Sequence, residues 1–427
     1  MKENIYKLEP GHYLLVDLNG VKKIKYCDLP EIDENNMIKD TRFVYSQFEE
    51  LLTDSVRLRL RSDVPFGAFL SGGLDSSSIV ALMAETRNLK VNTFTIGFPE
   101  KEFDESDMAK QVADKYNTNH HNIIVSFDSF EESLSKVIYH YDEPFGDSSA
   151  IPTGYVSCFA AQYVKMVLTG DGGDEALSGY TGFQGEKFAD IYQKLPKIFG
   201  TSLPNIINSI SPLFIGNIKY KLNRIARVFN ASNLSFNERM IIKMCWGDYT
   251  KINALLPVSG KFISIKDYFS ELFKACPFQE NFYKMMYLNY KLTLPDNMLT
   301  KVDRISMAYS LETRIPFLDY RLIEFMSKVD KNVKMQGYER KSVLKNSVGK
   351  KLPKSLLKAP KKGFVVPVLQ WFKNKEFESS LKSLEFSSYL PLNKKVLSEI
   401  ISDHKNGKEN YGNFIWMLLI LNKWLSQ

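Results

Sequence analysis

Short apolar runs alternate with segments of helical spacing over the first 185 residues of the chain. The runs predict strands at residues 66–70, 91–98, 121–125 and 164–169, and the amphipathic segments between them predict helices. Strands that alternate with helices favour a parallel sheet with both faces covered. The predicted fold class is therefore α/β, with ligands bound at the carboxyl ends of the strands.

The strand signal fades after about residue 185, and helical spacing dominates the rest of the chain. It predicts helices within residues 187–195, 282–294, 321–328, 381–397 and 414–425. We therefore expect an α/β core over residues 31–185, beginning with a polar linker, and a large, mostly helical C-terminal region over residues 186–427.

The first 30 residues form a separate unit. Residues 13–16 and 21–24 alternate in polarity around Asn19-Gly20, a favoured two-residue turn, and predict a hairpin. A lone hairpin is marginally stable in water, so we expect this one to pack on something else.

Composition narrows the class of protein. With 44% hydrophobic and 25% charged residues among 427, the chain is typical of globular proteins. No run of 18 apolar residues and no signal peptide occur, which favours the cytoplasm and no membrane contact. The four cysteines show neither C-x-x-C spacing nor neighbouring histidines, so we expect neither a zinc site nor disulfides.

The net charge of +7 owes much to six lysines between residues 350 and 362. This stretch fits a solvated helix face, a polyphosphate clamp or a nucleic-acid surface. Aromatic residues do not alternate with the lysines as on a surface that stacks bases, so we do not expect nucleic-acid binding.

A glycine pair follows the first predicted strand of the core. The string SGGLDSS at residues 71–77 joins that strand to a helix, so backbone N–H groups and the helix dipole would face a bound anion. Serine hydroxyls and the carboxylate of Asp75 suit a pyrophosphate with its magnesium ion. The alternative is an ordinary glycine turn whose Ser and Asp cap the helix.

A second glycine loop, TGDGGDE at residues 169–175, ends the last predicted strand of the core. Three glycines and three acids in seven residues require a turn and indicate a site, although a plain acidic surface loop would look similar. Asp174 could join Asp75 on a magnesium ion, because two carboxylates facing a polyphosphate require a cation between them.

These strings, in this order, resemble the asparagine synthetase family. SGGLDSS and TGDGGDE are followed by a long match over residues 296–319 and by matches at residues 338–341 and 361–364. The resemblance covers the chain from residue 31 onward. It implies a PP-loop ATP pyrophosphatase fold, a core similar to adenine nucleotide α-hydrolases, and a ligase. In such a ligase a carboxylate is adenylated by ATP, pyrophosphate leaves, and ammonia displaces AMP to give an amide such as asparagine.

The resemblance also implies roles for individual residues. Pyrophosphate would be held by Ser71, Gly72, Gly73, Asp75, Ser76 and Ser77. Adenine and ribose would be bracketed by Leu70, Ile96 and Gly170. Magnesium would be bound by Asp75 and Asp174, the phosphorane-like transition state would be stabilised by Lys341, and the ammonia nucleophile or the intermediate would be handled by Asp171. By residue type alone, Leu70 and Ile96 are core positions and Lys341 is a surface lysine.

Asp171 departs from the family pattern, which usually has glutamate there in enzymes that act on aspartate. An aspartate carboxylate sits about 1.5 Å further back, so either the base still works or the pocket suits another acid. The alternatives are an amidotransferase for another carboxylate, such as a surface-polysaccharide precursor, or a truncated, inactive fragment. A PP-loop enzyme that modifies tRNA is disfavoured, because neither a basic appendage nor a catalytic cysteine pair is found.

Residues 1–30 resemble the last strands of the glutaminase domain that precedes the synthetase domain in glutamine-dependent members. Met1 leads directly into Lys2, so the catalytic cysteine of such glutaminases has no counterpart and we expect no glutaminase activity from this chain. The expected partners are a small carboxylate, ammonia and a separate glutaminase protein or domain, with a homodimer as one option for assembly.

Overall fold

The computed structural model describes most of the chain. The described residues are 4–30, 33–87, 90–125, 130–194, 204–207, 209–214, 217–245, 249–256, 265–359, 375–385, 387–406 and 409–426. The predicted match at residues 361–364 lies outside them.

Seven strands form two sheets within these residues. In chain order the strands are β1 (His12–Asp17), β2 (Gly20–Lys25), β3 (Phe66–Phe69), β4 (Asn92–Gly97), β5 (Asn119–Ile124), β6 (Met166–Leu168) and β7 (Glu312–Arg314). β1 and β2 pair as an antiparallel hairpin, and the other five strands form a parallel sheet in the order β5-β4-β3-β6-β7. The predicted α/β class with a parallel sheet is confirmed.

Helices cover the sheet and make up most of the C-terminal half. Before residue 200 they are α1 (Thr41–Arg59), α2 (Leu74–Arg87), α3 (Ser106–Lys115), α4 (Phe130–Tyr141), α5 (Ala150–Ala161), α6 (Gly173–Ala176) and α7 (Thr181–Tyr192). Up to residue 310 they are α8 (Asn217–Ser232), α9 (Phe236–Met244), α10 (Tyr249–Leu255), α11 (Ile265–Ala275), α12 (Asn281–Leu288) and α13 (Thr300–Met307). The remainder are α14 (Tyr320–Ser327), α15 (Lys331–Lys334), α16 (Ser342–Asn346), α17 (Lys354–Lys358), α18 (Lys375–Glu385), α19 (Lys394–Lys405) and α20 (Gly412–Leu425).

Shorter or unusual helical turns connect these elements. A π-helical segment, Asn289–Leu299, joins α12 to α13. Single 3₁₀ turns occur at Ser211–Leu213, Pro316–Leu318 and Val348–Lys351. Wide π turns are rare in proteins and often mark functional regions.

The main hydrophobic core lies between α1, α2 and the sheet. The buried side chains of α1, including Val44, Phe48, Leu52 and Val56, repeat every four residues and so share one face of the helix. The side chain of Asp40 caps the first turn by accepting from two backbone N–H groups, which fixes where α1 begins.

The C-terminal half contributes to this same core. Phe317, Leu322, Val343 and Leu344 are buried in the cluster that contains α1 and α2. β7 also adds the fifth strand of the sheet, although the sequence showed no strand signal beyond residue 185. Three residues are too few for a periodic pattern, so only pairing with β6 defines this strand. The division into domains at residue 185 stays a prediction.

Two local predictions differ from the structure. The hairpin turns at Leu18-Asn19 rather than at Asn19-Gly20, because Gly20 pairs with Asp17 and the Asp17 carboxylate accepts from the N–H of Asn19. The helical spacing over residues 381–397 is interrupted between α18 and α19. Pro391 cannot continue a helix, and the Asn393 side chain caps α19.

A membrane-spanning helix would need about 20 consecutive apolar residues. Within the described part of the chain, none of the helices is both long and apolar enough to cross a membrane.

Candidate active site

The loop between β3 and α2 is folded on itself by its own serines. The hydroxyls of Ser71 and Ser76 lie 3.0 Å apart, and the Ser71 hydroxyl also accepts from the N–H of Gly73 at 3.3 Å. The N–H of Ser71 donates to the Ser76 hydroxyl at 3.2 Å. These bonds hold the loop in a tight curve at the amino end of α2, the geometry that suits a phosphate.

Gly72 must be glycine for two independent reasons. Its φ angle is +75°, which L side chains rarely adopt. A Cβ atom there would also lie 2.8 Å from the Glu105 carbonyl oxygen and 2.9 Å from the Ala109 nitrogen. The loop therefore packs directly against the start of α3.

The second glycine loop packs directly on the first. β3 and β6 are neighbours with Ala68 paired to Leu168, so the loops that follow them emerge side by side. A Cβ atom on Gly170 would lie 2.6 Å from the Ser76 nitrogen, and one on Gly173 would lie 2.9 Å from the Asp75 carboxylate. Small residues at both positions let the two loops pack against each other at one edge of the sheet.

Lys341 joins the two loops. Its ammonium group contacts the Asp75 carboxylate and lies 2.6 Å from a carboxylate oxygen of Asp174. Only 6% of this residue is exposed. Burial alone would lower the pKa of Lys341, but the carboxylates of Asp174 and Asp75 outweigh burial and raise that pKa above its usual range. Lys341 therefore remains charged at neutral pH.

The backbone around Lys341 is held in an uncommon conformation. Lys341 has a φ of 56°, in the left-handed region, and immediately precedes α16. Its neighbour Arg340 donates a hydrogen bond to the Gly179 carbonyl oxygen at 2.8 Å, and the Gly179 N–H donates to the Asp174 carbonyl oxygen at 2.8 Å. The turn at Gly179 thereby connects the lysine segment to the acidic loop.

Gly179 also provides space for the ion pair. A Cβ atom at this position would overlap both the Asp174 carboxylate and the Lys341 side chain. In the sequence Gly179 stands out only through the Ser178-Gly179 pair, which marks a turn and not a site. The need for glycine depends on Lys341, which is 162 positions away.

A buried acid lies behind Asp174. Glu175 is 1% exposed, and its carboxylate accepts a hydrogen bond from the Tyr180 hydroxyl at 2.6 Å. The pKa of Glu175 is raised to about 7, chiefly by burial and also by the nearby charges of Asp174 and Asp171, while the hydrogen bond from Tyr180 acts in the opposite direction. This pair was also missed by the sequence analysis, in which Glu175 was only one of three acids in the loop.

The remaining predicted residues lie around the same edge of the sheet. Asp171 occupies the loop between β6 and α6, and its charge raises the pKa values of both Glu175 and Tyr180. Leu70 directly follows β3 and Ile96 lies in β4, but both side chains are buried in hydrophobic clusters. The Ser77 hydroxyl is buried without a hydrogen-bond partner among the described residues, and so could accept a ligand contact.

The two aspartates fit a magnesium ion carried by a polyphosphate. Both contact the same ammonium group, so their carboxylates face one point, and carboxylate oxygens are ligands that Mg²⁺ prefers. Within the part of the chain that the structure describes, no group of three or more His, Cys, Asp or Glu side chains converges. Two carboxylates suffice for Mg²⁺ when phosphate and water oxygens complete its shell.

Comparison with known proteins identifies a family for this chain. The asparagine synthase family model matches residues 47–426. Asparagine synthetase [glutamine-hydrolyzing] 1 of Bacillus subtilis is 26% identical over 99% of this chain and 65% of its own length. Putative asparagine synthetase [glutamine-hydrolyzing] 2 of Methanocaldococcus jannaschii is 41% identical over 52% of this chain and 44% of its own length.

The match to solved structures is weaker. NMN synthetase from Francisella tularensis covers 34% of this chain and 59% of its own, with a TM-score of 0.24 and 20% identity, so the fold rests on the strand order given above. The chain spans less than two thirds of the length of the curated relatives named here. Because the family model covers nearly the whole chain, including both glycine loops and Lys341, the chain belongs to the asparagine synthase family.

Proposed function

We propose that this protein is an ATP-dependent carbon–nitrogen ligase that adenylates a carboxylate and converts it to an amide. The observation that supports this most directly is the contact of Lys341 with both Asp75 and Asp174. It places a buried cation where the two loops meet, with a serine- and glycine-rich cradle beside it. An adenylating enzyme needs both features, because negative charge develops on the α-phosphate as the phosphorus is attacked.

In the first step a substrate carboxylate oxygen attacks the α-phosphorus of ATP. The bond from that phosphorus to the bridging oxygen breaks, and pyrophosphate leaves with the electron pair. The loop at residues 71–77 holds pyrophosphate through backbone N–H groups and serine hydroxyls. Lys341 stabilises the charge on the α-phosphate through its ammonium group, without giving up a proton.

In the second step ammonia attacks the acyl carbon of the adenylate, and AMP leaves with the electron pair of the broken carbon–oxygen bond. The new nitrogen must lose a proton to give a neutral amide. We assign that proton to the carboxylate of Asp171, which lies on the same loop as Asp174. Magnesium, held by Asp75 and Asp174, would neutralise charge on the phosphates.

We propose aspartate or a closely related acid as the substrate, because the two relatives reported above are named as an asparagine synthetase and a putative asparagine synthetase. Those names also describe them as glutamine-hydrolysing, whereas this chain spans only part of their length. Ammonia would therefore come from solution or from a glutamine-hydrolysing partner or domain.

The direct test is pyrophosphate release with ATP, magnesium, ammonium and a panel of carboxylates that includes aspartate. We expect one acid to stimulate release and to yield its amide and AMP, measured by mass spectrometry. Asp75→Ala should abolish release. The proposal is wrong if no acid stimulates release by a folded wild-type protein, or if Asp75→Ala releases pyrophosphate normally.

A matched lysine pair tests the role of the buried cation. Lys341→Met should lower kcat by roughly 100-fold or more, the usual loss when one charge-stabilising group is removed. Lys345, four residues on, pairs with Glu339 on the surface, so Lys345→Met should change kcat less than about twofold. Equal effects of the two substitutions would contradict the role given to Lys341.

A further inference from the structure

One side of helix α8 holds this helix on the rest of the protein. Ala226 is buried, and the ring centroid of Phe229 lies 5.0 Å from that of Tyr192 on α7. The side chain of Gln193, just after α7, donates to the Ser232 carbonyl oxygen at 2.8 Å. These contacts fix α8 against α7 through its inner side.

The outer side of α8 is also apolar, although it faces solvent. Ile218, Ile225 and Val228 are 55%, 45% and 41% exposed, and their spacing of seven and three residues places them on one side of the helix. Leu213, in the 3₁₀ turn that contacts α8, is 79% exposed, and Phe214 after it is 40% exposed. Single apolar side chains on a surface are ordinary, whereas a row of them beside an exposed turn forms a patch that marks an interaction site.

The chain around this patch is strongly basic. Residues 191–237 contain no aspartate or glutamate and six basic residues, Lys194, Lys197, Lys219, Lys221, Arg224 and Arg227. The positions of Lys221 and Arg224 precede Val228 by seven and four residues, so they fall on the same side of the helix as the exposed apolar row. Glu409 offsets one of these charges, since its carboxylate lies 3.6 Å from the Arg227 guanidinium group.

The apolar row and the positive charge together indicate what covers the patch. In a symmetric dimer the same patch of two copies would meet, and their positive charges would repel. The surface of an anionic bilayer suits both features, because apolar side chains enter the boundary between headgroups and acyl chains while lysine and arginine face lipid phosphates. The expectation of no membrane contact was based on spanning segments, and a contact at the membrane surface requires none.

We propose that the outer side of α8 and the turn before it bind the surface of an anionic lipid bilayer. Leu213, Ile218, Ile225 and Val228 insert among the headgroups, and the basic residues of the segment lie over lipid phosphates. The contact is reversible, because a single short apolar face is a weak anchor without electrostatic attraction. It goes beyond the ligase activity and does not depend on it.

The test measures co-sedimentation of the full chain with lipid vesicles. One set of vesicles contains phosphatidylglycerol and phosphatidylcholine, and the other contains phosphatidylcholine alone. We expect binding to the anionic set and at least tenfold weaker binding to the other. Raising the salt concentration from about 0.1 M to 1 M should weaken binding to the anionic set, because the screening length falls from about 10 Å to 3 Å.

A matched pair of valine substitutions locates the contact. Val228→Glu should weaken binding to anionic vesicles at least tenfold. Val64→Glu adds the same charge at a valine that is 43% exposed and lies outside this segment, so it should bind within twofold of the wild type. Ile225→Gln removes apolar surface without adding charge and should weaken binding severalfold. Thermal unfolding shows whether each variant is folded.

Three results would overturn the proposal. They are no binding to anionic vesicles, equal binding to both lipid compositions, and equal effects of Val228→Glu and Val64→Glu. Light scattering provides a fourth, because a wild-type dimer that Val228→Glu dissociates would show that a second copy covers the patch. Failure of the ligase function appears separately, as absence of ammonium-driven pyrophosphate release, and it leaves the vesicle comparison intact.

Discussion

At the residue scale, the site depends on close packing around one buried cation. Lys341 bridges two carboxylates from separate loops, and three glycines, Gly170, Gly173 and Gly179, leave room for that arrangement. A side chain at any of them would separate groups that must meet. The loss of activity on replacing one of these glycines by alanine therefore measures how closely the side chains of the site are packed.

Gly179→Ala should inactivate the enzyme without unfolding it. The added Cβ would displace Asp174 or Lys341, and a displacement of about 1 Å can reduce a rate roughly 100-fold. Pyrophosphate release gives the rate, and thermal unfolding reports whether the fold is retained. Gly185→Ala is the control, because no atom lies near its Cβ position and alanine suits the middle of α7. If Gly179→Ala retains full activity, the site tolerates more movement than its packing indicates.

Lys334 is a buried lysine outside the site, and it should make stability depend on pH. It is 0% exposed, and its ammonium lies 3.1 Å from the Met286 sulfur. Burial lowers the pKa of Lys334 to about 7, and the charge of Asp330 only partly opposes this. A base with a lowered folded-state pKa destabilises the fold at low pH, and stability is regained as the pH rises from about 7 towards the unfolded-state value.

Lys334→Met should therefore stabilise the protein at pH 6.5 and lose most of this advantage by pH 9.5. Between pH 7 and 10 the unfolding free energy of the wild type should rise relative to the variant by up to about 1.4 kcal/mol per pH unit. Urea unfolding at several pH values measures this difference. Lys328→Met serves as a control, since Lys328 is solvent-exposed. A difference between wild type and Lys334→Met that does not change with pH would contradict this explanation.

At the element scale, a buried ionic contact joins helices α7 and α9. Glu186 of α7 is 1% exposed and accepts hydrogen bonds from Arg239 of α9, the shortest at 2.7 Å. Lys243, one turn further along α9, also contacts Glu186 but is 32% exposed. Burying charged groups costs free energy, so replacing both members of such a pair by well-packed apolar side chains can leave the stability of the protein unchanged. Removing only one member leaves a buried charge without its partner and destabilises the protein.

Arg239→Met should accordingly destabilise the protein by about 3 kcal/mol, because it leaves the buried Glu186 carboxylate without Arg239 and in contact with the partly exposed Lys243. The double variant Glu186→Met/Arg239→Met should recover most of this loss. Chemical denaturation measures both. Arg227→Met is the control, since the Arg227–Glu409 pair is exposed and should contribute less than about 1 kcal/mol. A double variant less stable than Arg239→Met would show that the ionic contact itself stabilises the helices.

At the scale of the whole molecule, the groups of the proposed active site come from distant parts of the chain. Asp75 and Asp174 belong to the first 185 residues and Lys341 to the last third, yet all three meet at one edge of the sheet. Residues of the last third also complete the main core, and β7 completes the sheet. Nucleotide binding at this edge should therefore stabilise both halves together.

ATP with magnesium at about 100 times its Kd should raise the unfolding free energy by roughly 2.7 kcal/mol. Asp174→Asn should remove most of this gain because it removes a proposed magnesium ligand. Asp114→Asn is the matched control, since Asp114 is exposed on α3 and pairs with Lys110 of the same helix. Denaturation with and without the nucleotide gives the difference, and an unchanged gain in Asp174→Asn would exclude Asp174 as a ligand.

The sequence by itself determined the parts of this protein that depend on neighbouring residues. Alternating strands and helices specified the parallel sheet, and SGGLDSS and TGDGGDE specified two glycine loops at strand ends, because turn chemistry and periodicity act over a few positions. The family resemblance supplied the role proposed for Lys341, which its surroundings in the sequence did not suggest.

Only the tertiary structure decided which distant groups meet. It added β7 to the sheet, brought Lys341 between Asp75 and Asp174, and placed Gly179 where a Cβ atom would overlap both of these contacting side chains. Each of these depends on packing between segments far apart in the chain. No local pattern of residues carries that information.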